Sequence, residues 1–105
     1  MAISVNNNEV GEFDWNESNI KKNEIKHGVF YKECKEVFLN EPLVLKDQKH
    51  SVVEKRFNAI GKTNSGKLLF ISFTMRILKV RVISARTADK KERMMYEKTK
   101  KTTKI

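Results

Sequence analysis

The fold of this chain is decided by the sequence K-V-R-V-I-S-A-R at residues 79–86, in which basic residues alternate with β-branched ones. Alternation with a period of two is typical of a strand that has one buried and one charged face. A regular strand places Val80, Val82 and Ser84 on the first face and Lys79, Arg81, Ile83 and Ala85 on the second. We therefore predict a strand over residues 79–86 that holds its arginine side chains in fixed directions.

Arg81 and Arg86 are five residues apart, so a regular strand directs them to opposite faces. Both can serve one site only if the strand bends or bulges near Ser84, and we therefore rank Arg81 above Arg86. The T-A-D sequence at residues 87–89 is a plausible helix start. A strand that carries arginine into the N-terminus of a helix is well suited to binding phosphate.

The length of 105 residues predicts a single domain over residues 1–105. Residues 1–10 and 98–105 are expected to form poorly ordered tails. No apolar run approaches the roughly eighteen residues that a membrane span needs, and the first residues lack the features of a signal peptide. Cys34 is the single cysteine, which fits a reducing compartment, so we expect a cytoplasmic protein with no membrane association.

The net charge of +9 is distributed unevenly along the chain. From residue 79 to the end there are ten basic and three acidic residues. This asymmetry indicates a polyanion or an acidic protein as partner. A solvated, lysine-rich tail explains residues 98–104 equally well, but it explains the arginines of the strand less well because a strand fixes their directions.

The remaining sequence predicts an α+β fold with the order β-α-α-β-β-β-β-α and a mostly antiparallel sheet. The predicted strands are residues 12–15, 43–45, 56–62, 67–73 and 79–86, and the predicted helices are 16–26, 30–39 and 87–99. The strand at 67–73 is apolar almost throughout and is therefore expected at the centre of the sheet. In the predicted helix 30–39, the residues that share one face at helical spacing are Tyr31, Cys34, Val37 and Phe38. Asn16 is a reasonable N-cap for the first helix, and Gly28 is the glycine expected just after its C-terminus. Residues 46–55 are expected to form a charged loop.

Metal and nucleophile motifs are missing from the sequence. Two histidines and one cysteine occur without C-x-x-C, H-x-x-x-H or an acidic cluster, and no glycine-rich phosphate loop or G-x-S-x-G is present. We therefore expect no metal and no other cofactor. Arginine, lysine, histidine and glutamate suit metal-free RNA cleavage, in which a base activates the 2′-hydroxyl, cations stabilise the phosphorane and an acid protonates the 5′-oxygen.

The candidate residues each have a structural alternative. His27 can transfer protons near neutral pH or can simply complement the dipole at a helix end. Glu33 can act as a base, but a solvated helix position is the stronger reading, and His50 is more readily a solvated or positioning residue. Trp15 and Tyr31 are more often core residues than base-stacking platforms.

Several segments in order carry a family resemblance. They are F-D-W-N at 13–16, K-H-G-V at 26–29, D-Q-K-H-S at 47–51 with E-K-R-F at 54–57, and V-R-V-I-S-A-R at 80–86. Together, over about residues 12–97, they resemble the BrnT family of ribonucleases from type II toxin–antitoxin systems. Asn16 stands where that family usually has aspartate, and M-R-I-L at 75–78 replaces a more polar turn.

The resemblance implies a RelE-like fold and an endoribonuclease that cleaves mRNA, blocks translation and arrests growth. It also implies a BrnA-like antitoxin with a ribbon-helix-helix part, through which the complex would reach operator DNA. The candidate residues are His27, Arg76 and Arg81 for catalysis; Lys26, Arg56, Lys79, Arg86 and Arg93 for RNA or phosphate binding; and Trp15, Glu33, His50 and Tyr96 as auxiliary residues. Arg86 alternatively braces the junction of strand and helix.

Two other function classes stay open on composition alone. One is a non-catalytic module that binds nucleic acid or a protein partner through the basic face. The other is an inactive relative of the toxins that acts as a co-repressor.

Overall fold

The computed structural model describes residues 12–15, 17–50 and 54–103. Its elements are β1 Glu12–Phe13, α1 Glu17–His27, α2 Tyr31–Leu39, β2 Leu43–Asp47, β3 Arg56–Lys62, β4 Leu68–Arg76, β5 Lys79–Thr87 and α3 Lys90–Thr103, with a 3-10 turn at Gln48–His50. The predicted α+β class is confirmed. None of the helices in these ranges has the length and apolar character to cross a bilayer.

The sheet has five strands in the order β1-β5-β4-β3-β2. The strands β2 to β5 pair antiparallel, and the short β1 adds to the outer edge of β5 in parallel. The apolar strand β4 lies at the centre, as predicted. It extends to Arg76 rather than ending at Phe73, because its last residues still pair with β5.

A β-bulge interrupts the regular alternation of β5. Ser72 pairs with Ser84 and the next residue, Phe73, pairs with Val82, so that Ile83 is the extra residue. The bulge moves Ala85 to the buried face, where it joins the core that also contains Val82. The prediction that Ala85 shares a face with Arg81 is therefore wrong, and Arg81 and Arg86 lie on the same face of the sheet.

One face of the sheet is covered by α2 and the segment that precedes it. Cys34, Val37 and Phe38 of α2 are buried against the apolar side chains of β4 and β5, as the helical spacing predicts. Tyr31, expected on the same face, is 44% exposed because it lies at the first position of the helix. The helix approaches β3 so closely that a Cβ on Gly61 would lie 2.9 Å from a methyl group of Val37.

Among the described elements, only α3 packs on the opposite face, and it covers one end of that face. Leu43, Ile60 and Leu68 on this face form a second apolar cluster with Ala88 and with Tyr96 of α3. The remainder of the face carries polar and charged residues, and this uncovered area positions the candidate site.

Several boundaries differ from the predicted ones. Thr87 still pairs with Leu69, so β5 includes it and α3 begins only at Lys90. The same helix continues to Thr103 and includes residues 98–103, which we expected in the C-terminal tail. Lys46 and Asp47 belong to β2, because they pair with β3, rather than to the charged loop.

The ends of α1 follow the helix signals only in part. The helix includes His27, one residue beyond the predicted end, and Gly28 follows with a φ of +63°. The amide of Gly28 donates to the carbonyl of Glu24 at 3.0 Å, which closes the helix in the manner of a C-terminal glycine motif. Asn16, the predicted N-cap, and residues 1–10 lie outside the described residues.

Candidate active site on the open sheet face

The uncovered part of the second sheet face forms a cleft of about 430 Å³. We call it the sheet cleft, and it is lined by Asp47, Arg56, Asn58, Phe70, Ser72, Ile83, Ser84 and Arg86. These residues come from four adjacent strands, so the rigid antiparallel sheet fixes their relative positions. On this face, the residues that pair directly across neighbouring strands form successive rows.

In the first row, a threonine lies between two arginines, one on each neighbouring strand. Arg56 of β3 pairs with Thr74 of β4, which pairs with Arg81 of β5. Two strand spacings separate the arginine backbones by about 10 Å, a span that two arginine side chains can close around one phosphate. Thr74 is buried and donates a hydrogen bond to the carbonyl of Lys55 at 2.7 Å. Within the described residues, no hydrogen bond or ion pair engages the side chain of the half-buried Arg81.

Arg76 and Lys79 extend this basic area toward the end of the β4–β5 hairpin. The two residues pair directly across the strands, and their positions alternate with Thr74 and Arg81 onto the same face. Arg76 is exposed, and its guanidinium lies 3.8 Å from the carboxylate of Glu54. The structure therefore brings Arg56, Arg76 and Arg81, three of the predicted residues, to one end of the face.

The second row is neutral and polar. Asn58, Ser72 and Ser84 pair across the three strands. The Ser72 hydroxyl donates to Oδ1 of Asn58 at 3.1 Å, which sets the orientation of the amide. The Nδ2 donors of Asn58 are consequently directed away from Ser72.

The third row contains Phe70 and Arg86. The Arg86 guanidinium donates to both carboxylate oxygens of Glu92 at 2.8 Å and lies 4.5 Å from the centroid of the Phe70 ring. The hydrogen bonds to Glu92 raise the pKa of Arg86, against the opposing effect of burial. Arg86 thus braces β5 against α3, the alternative role that its position predicts.

The N-terminus of α3 already carries negative charge. Asp89 Oδ1 accepts from the amide of Glu92 at 2.8 Å, and Glu92 Oε1 accepts from the amide of Asp89 at 2.9 Å. This reciprocal capping box satisfies two of the donors that a bound phosphate would need. The predicted use of this helix end as a phosphate site is therefore not favoured by its geometry.

The helix α1 lies along the edge of β5 beyond the point where β1 ends. The Asn19 amide donates to the carbonyl of Val82 at 3.4 Å, and the amide of Ala85 donates to Oδ1 of Asn23 at 3.2 Å. His27 follows at the same four-residue spacing, on the same side of the helix and level with the end of β5. It is exposed, as is the neighbouring Lys26. Two helical turns, about 12 Å, separate His27 from Asn19, which contacts Val82, so His27 lies along the edge of β5 at a distance from the Arg81 end of the strand.

A family model matches residues 15–92, and it describes BrnT, the ribonuclease toxin of type II toxin–antitoxin systems. The chain belongs to the BrnT family. The matched residues include the four antiparallel strands that form the sheet cleft, as well as Glu92, which holds Arg86. A ribonuclease toxin acts on RNA and has an antitoxin as partner. No match was found among curated proteins.

In this BrnT chain, three of the auxiliary candidates have structural roles. Trp15 stacks on Phe13 with ring centroids 5.2 Å apart and contacts Tyr31 edge-on at 5.5 Å, so it packs against the core. Tyr96 is buried in the second cluster, and burial, together with the charge of Glu41, raises the pKa of its hydroxyl.

Glu33 is the third of these residues. Its carboxylate accepts from the amide of Phe30 at 3.1 Å and lies 3.0 Å from Nζ of Lys67. Partial burial raises the pKa of Glu33, but the hydrogen bond from Phe30 and the lysine outweigh it and hold the pKa below its ordinary value. The low pKa fits a helix-capping ion pair rather than a base that operates near neutral pH.

Of the remaining candidates, Arg93 does not line the cleft, and the side chain of His50 lies outside the described residues. Arg93 is exposed on α3. His50 ends the 3-10 turn. Cys34, which we did not propose as a site residue, is buried, and burial raises the pKa of its thiol to about 12. Among the described residues, no three His, Cys, Asp or Glu side chains are grouped to hold a metal ion.

The sequence-based prediction missed several residues that line the sheet cleft. Asn58 and Ser72 are polar residues within two strands that were correctly predicted, and cross-strand pairing of those strands would have identified them. Ser84 was assigned to the buried side, and Phe70 to a uniformly apolar strand. Their position in the cleft depends on the bulge and on which end of the face α3 covers, and neither is encoded in local periodicity.

Proposed function

We propose that this BrnT toxin is a metal-independent endoribonuclease that cleaves mRNA on the open sheet face, at the arginine row beside the sheet cleft, by attack of the 2′-hydroxyl, thereby blocking translation and arresting growth. Its α+β fold would be of the RelE-like kind, and it would act in the cytoplasm. The observation that supports this most directly is the row of Arg56, Thr74 and Arg81, with Arg76 beside it, on the part of the sheet face that none of the described helices covers.

Arg81 and Arg76 are the residues that we propose to bind the scissile phosphate. The pentavalent phosphorane carries more charge than the phosphodiester, so cations held close to it lower the barrier to cleavage. Guanidinium groups can contact two phosphate oxygens at once, whereas lysine acts as a point charge. Arg81 is the better placed of the two, because no described side chain neutralises it and the strand fixes its backbone. Arg56 completes the phosphate site from β3.

His27 and Lys26 are proposed to contact a phosphate farther along the bound RNA strand. Both are exposed at the end of α1, about 12 Å along the edge of β5 from Asn19, so an RNA strand bound at Arg81 would have to extend along this edge to reach them. A His27 that transfers the proton itself would need a bent RNA strand. Cleavage rates of the His27→Ala variant across pH distinguish these roles, since loss of a proton-transfer group removes one limb of the pH profile.

The cognate antitoxin is proposed to be BrnA-like and to cover the same basic face. An inhibitor that blocks the phosphate site of a chain with a net charge of +9 benefits from acidic side chains. Through its ribbon-helix-helix part, such an antitoxin would also bring the complex to operator DNA.

The test is incubation of the purified protein with RNA in the presence of EDTA. We expect cleavage products that end in a 2′,3′-cyclic phosphate, because the nucleophile belongs to the RNA. Tight, salt-sensitive RNA binding by a folded protein without cleavage would overturn the catalytic proposal and favour a binding module. Absence of growth arrest on expression would favour a co-repressor.

A further inference from the structure

We propose that the sheet cleft also contains a nucleobase site, in which one base stacks on the guanidinium of Arg86 and is read by the side-chain amide of Asn58. The inference rests on the proposed function, since it takes RNA to be the ligand of the cleft. It assigns Arg86 to base recognition rather than to phosphate binding.

The N–H donors of the Arg86 guanidinium are engaged within the protein, so a ligand can contact only the planar surface of the group. Glu92 accepts two hydrogen bonds from the guanidinium at 2.8 Å, and the carbonyl of Thr87 accepts a third at 3.3 Å. A phosphate that approached Arg86 would have to displace a carboxylate held in a capping box. The guanidinium is therefore poorly placed to bind phosphate oxygens in the bidentate manner that arginine prefers.

The stacking surface of Arg86 is rigid and partly exposed. Phe70 supports the guanidinium at 4.5 Å, Glu92 fixes its plane, and 39% of the Arg86 side chain is exposed. Arg86 also lines the cleft. Guanidinium planes and aromatic rings are the surfaces on which proteins stack splayed RNA bases. A base in the cleft would add a third layer to the existing stack of Phe70 and Arg86.

Asn58 supplies the group that can distinguish one base from another. It lies one row from Arg86, and the Ser72 hydroxyl already occupies its Oδ1. The two hydrogens on Nδ2 have no acceptor among the described residues. The hydrogen bond from Ser72 uses one lone pair of Oδ1 and turns the Nδ2 donors toward the cleft, so the fixed amide favours a base that presents an acceptor to Nδ2.

This donor pattern specifies the class of base. Guanine and uracil carry a carbonyl oxygen where adenine and cytosine carry an amino group. The Nδ2 group of Asn58 can donate a hydrogen bond to the carbonyl oxygen of guanine or uracil. Against the amino group of adenine or cytosine, it would face another donor and form no hydrogen bond. We infer that the site prefers guanine or uracil over adenine or cytosine. The cleft volume of about 430 Å³ lies within the range of small-molecule sites, so it can hold one base.

The experiment measures binding of the full chain to 2′-O-methyl RNA pentamers that differ only in their central base. These RNAs cannot be cleaved, because the 2′-oxygen is blocked. We expect the pentamers with central guanine or uracil to bind about tenfold more tightly than those with adenine or cytosine. The Asn58→Asp variant should reverse this order, since an aspartate presents an acceptor to the base.

The matched control is Asn64→Asp, which adds the same negative charge in the exposed turn between β3 and β4. It should weaken binding to all four pentamers by a similar, small factor and leave their order unchanged. Phe70→Leu should reduce the preference by removing the support beneath Arg86, and thermal unfolding reports whether this variant is folded. An unchanged order in Asn58→Asp, or a wild-type protein without preference, would overturn the base site.

Cleavage of the unmodified pentamers separates this inference from the proposed function. Selective binding that Asn58→Asp reverses, together with intact RNA, would support the base site and contradict the nuclease. Cleavage without any preference in binding would contradict only the base site.

Discussion

At the scale of single residues, the two arginines of β5 share a strand and a face but differ in their chemistry. Arg86 is held by Glu92 and Phe70, whereas no described side chain forms an ion pair or hydrogen bond with Arg81. The sequence predicts both as basic strand residues. The sequence cannot predict that Arg86 is held and Arg81 is not, because Glu92 lies on a helix whose start depends on where β5 ends.

Glu33 provides a residue-scale prediction about pH. Its pKa in the folded protein lies below its ordinary value of 4.5, so the carboxylate stabilises the fold above that value. This contribution is lost as the pH falls through the lowered pKa. We expect Glu33→Gln to reduce the free energy of unfolding by about 1 kcal/mol at neutral pH and by much less at about pH 3.

Urea denaturation of both proteins at the two pH values measures this difference. Lys67→Gln is the matched partner variant and should show a part of the same loss at neutral pH, because Phe30 still donates to Glu33. A loss that is equally large at both pH values would show that Glu33 acts through packing rather than charge.

At the scale of elements, the bulge in β5 determines which side chains reach the cleft. Local alternation predicts the strand and its first buried residues, Val80 and Val82, but Ile83 and Ser84 fit either face by composition. The position of the bulge is set by the pairing of Ser84 with Ser72 on β4. This long-range pairing is why the sequence allowed only a conditional statement about Arg81 and Arg86.

Deletion of Ile83 tests the bulge directly. The remaining residues of β5 then pair regularly with β4, and Ala85 and Arg86 keep their present faces. We expect this variant to unfold cooperatively with a modest loss of stability. Deletion of Ser72, on the strand without an extra residue, should instead direct the following side chains to the wrong faces and abolish folding. Circular dichroism and thermal unfolding distinguish the two, and equal damage by both deletions would contradict the register.

The turn between β4 and β5 contains unusual backbone conformations. Ile77 and Leu78 have φ values of +47° and +64°, and their side chains are 96% and 82% exposed. Two-residue hairpin turns with positive φ favour Asn-Gly, and a β-branched residue there is strained. Replacing both residues, as Ile77→Asn with Leu78→Gly, should therefore stabilise the protein by about 1 to 2 kcal/mol. A lower melting temperature in differential scanning calorimetry would contradict this account of the turn.

At the scale of the whole molecule, the unequal covering of the two sheet faces creates the candidate site. The helical spacing of α2 and the apolar character of β4 predict one buried face and a central strand, and both are confirmed. The second face could not be predicted in the same way. Tyr96 was treated as a site residue, whereas it anchors α3 over Leu43 and Leu68 and so leaves the rest of that face open.

The proposed ribonuclease site depends above all on Arg81, which we propose to stabilise the reacting phosphate in a metal-independent cleavage. The most direct test is the single-turnover rate of RNA cleavage in EDTA for Arg81→Ala and for Lys35→Ala. The latter removes the same charge from an exposed position on α2, the helix that covers the other face.

We expect Arg81→Ala to cleave RNA about 100-fold or more slowly while its melting temperature changes little, and Lys35→Ala to cleave at nearly the wild-type rate. Equal cleavage rates for the two folded variants would contradict the assignment of Arg81.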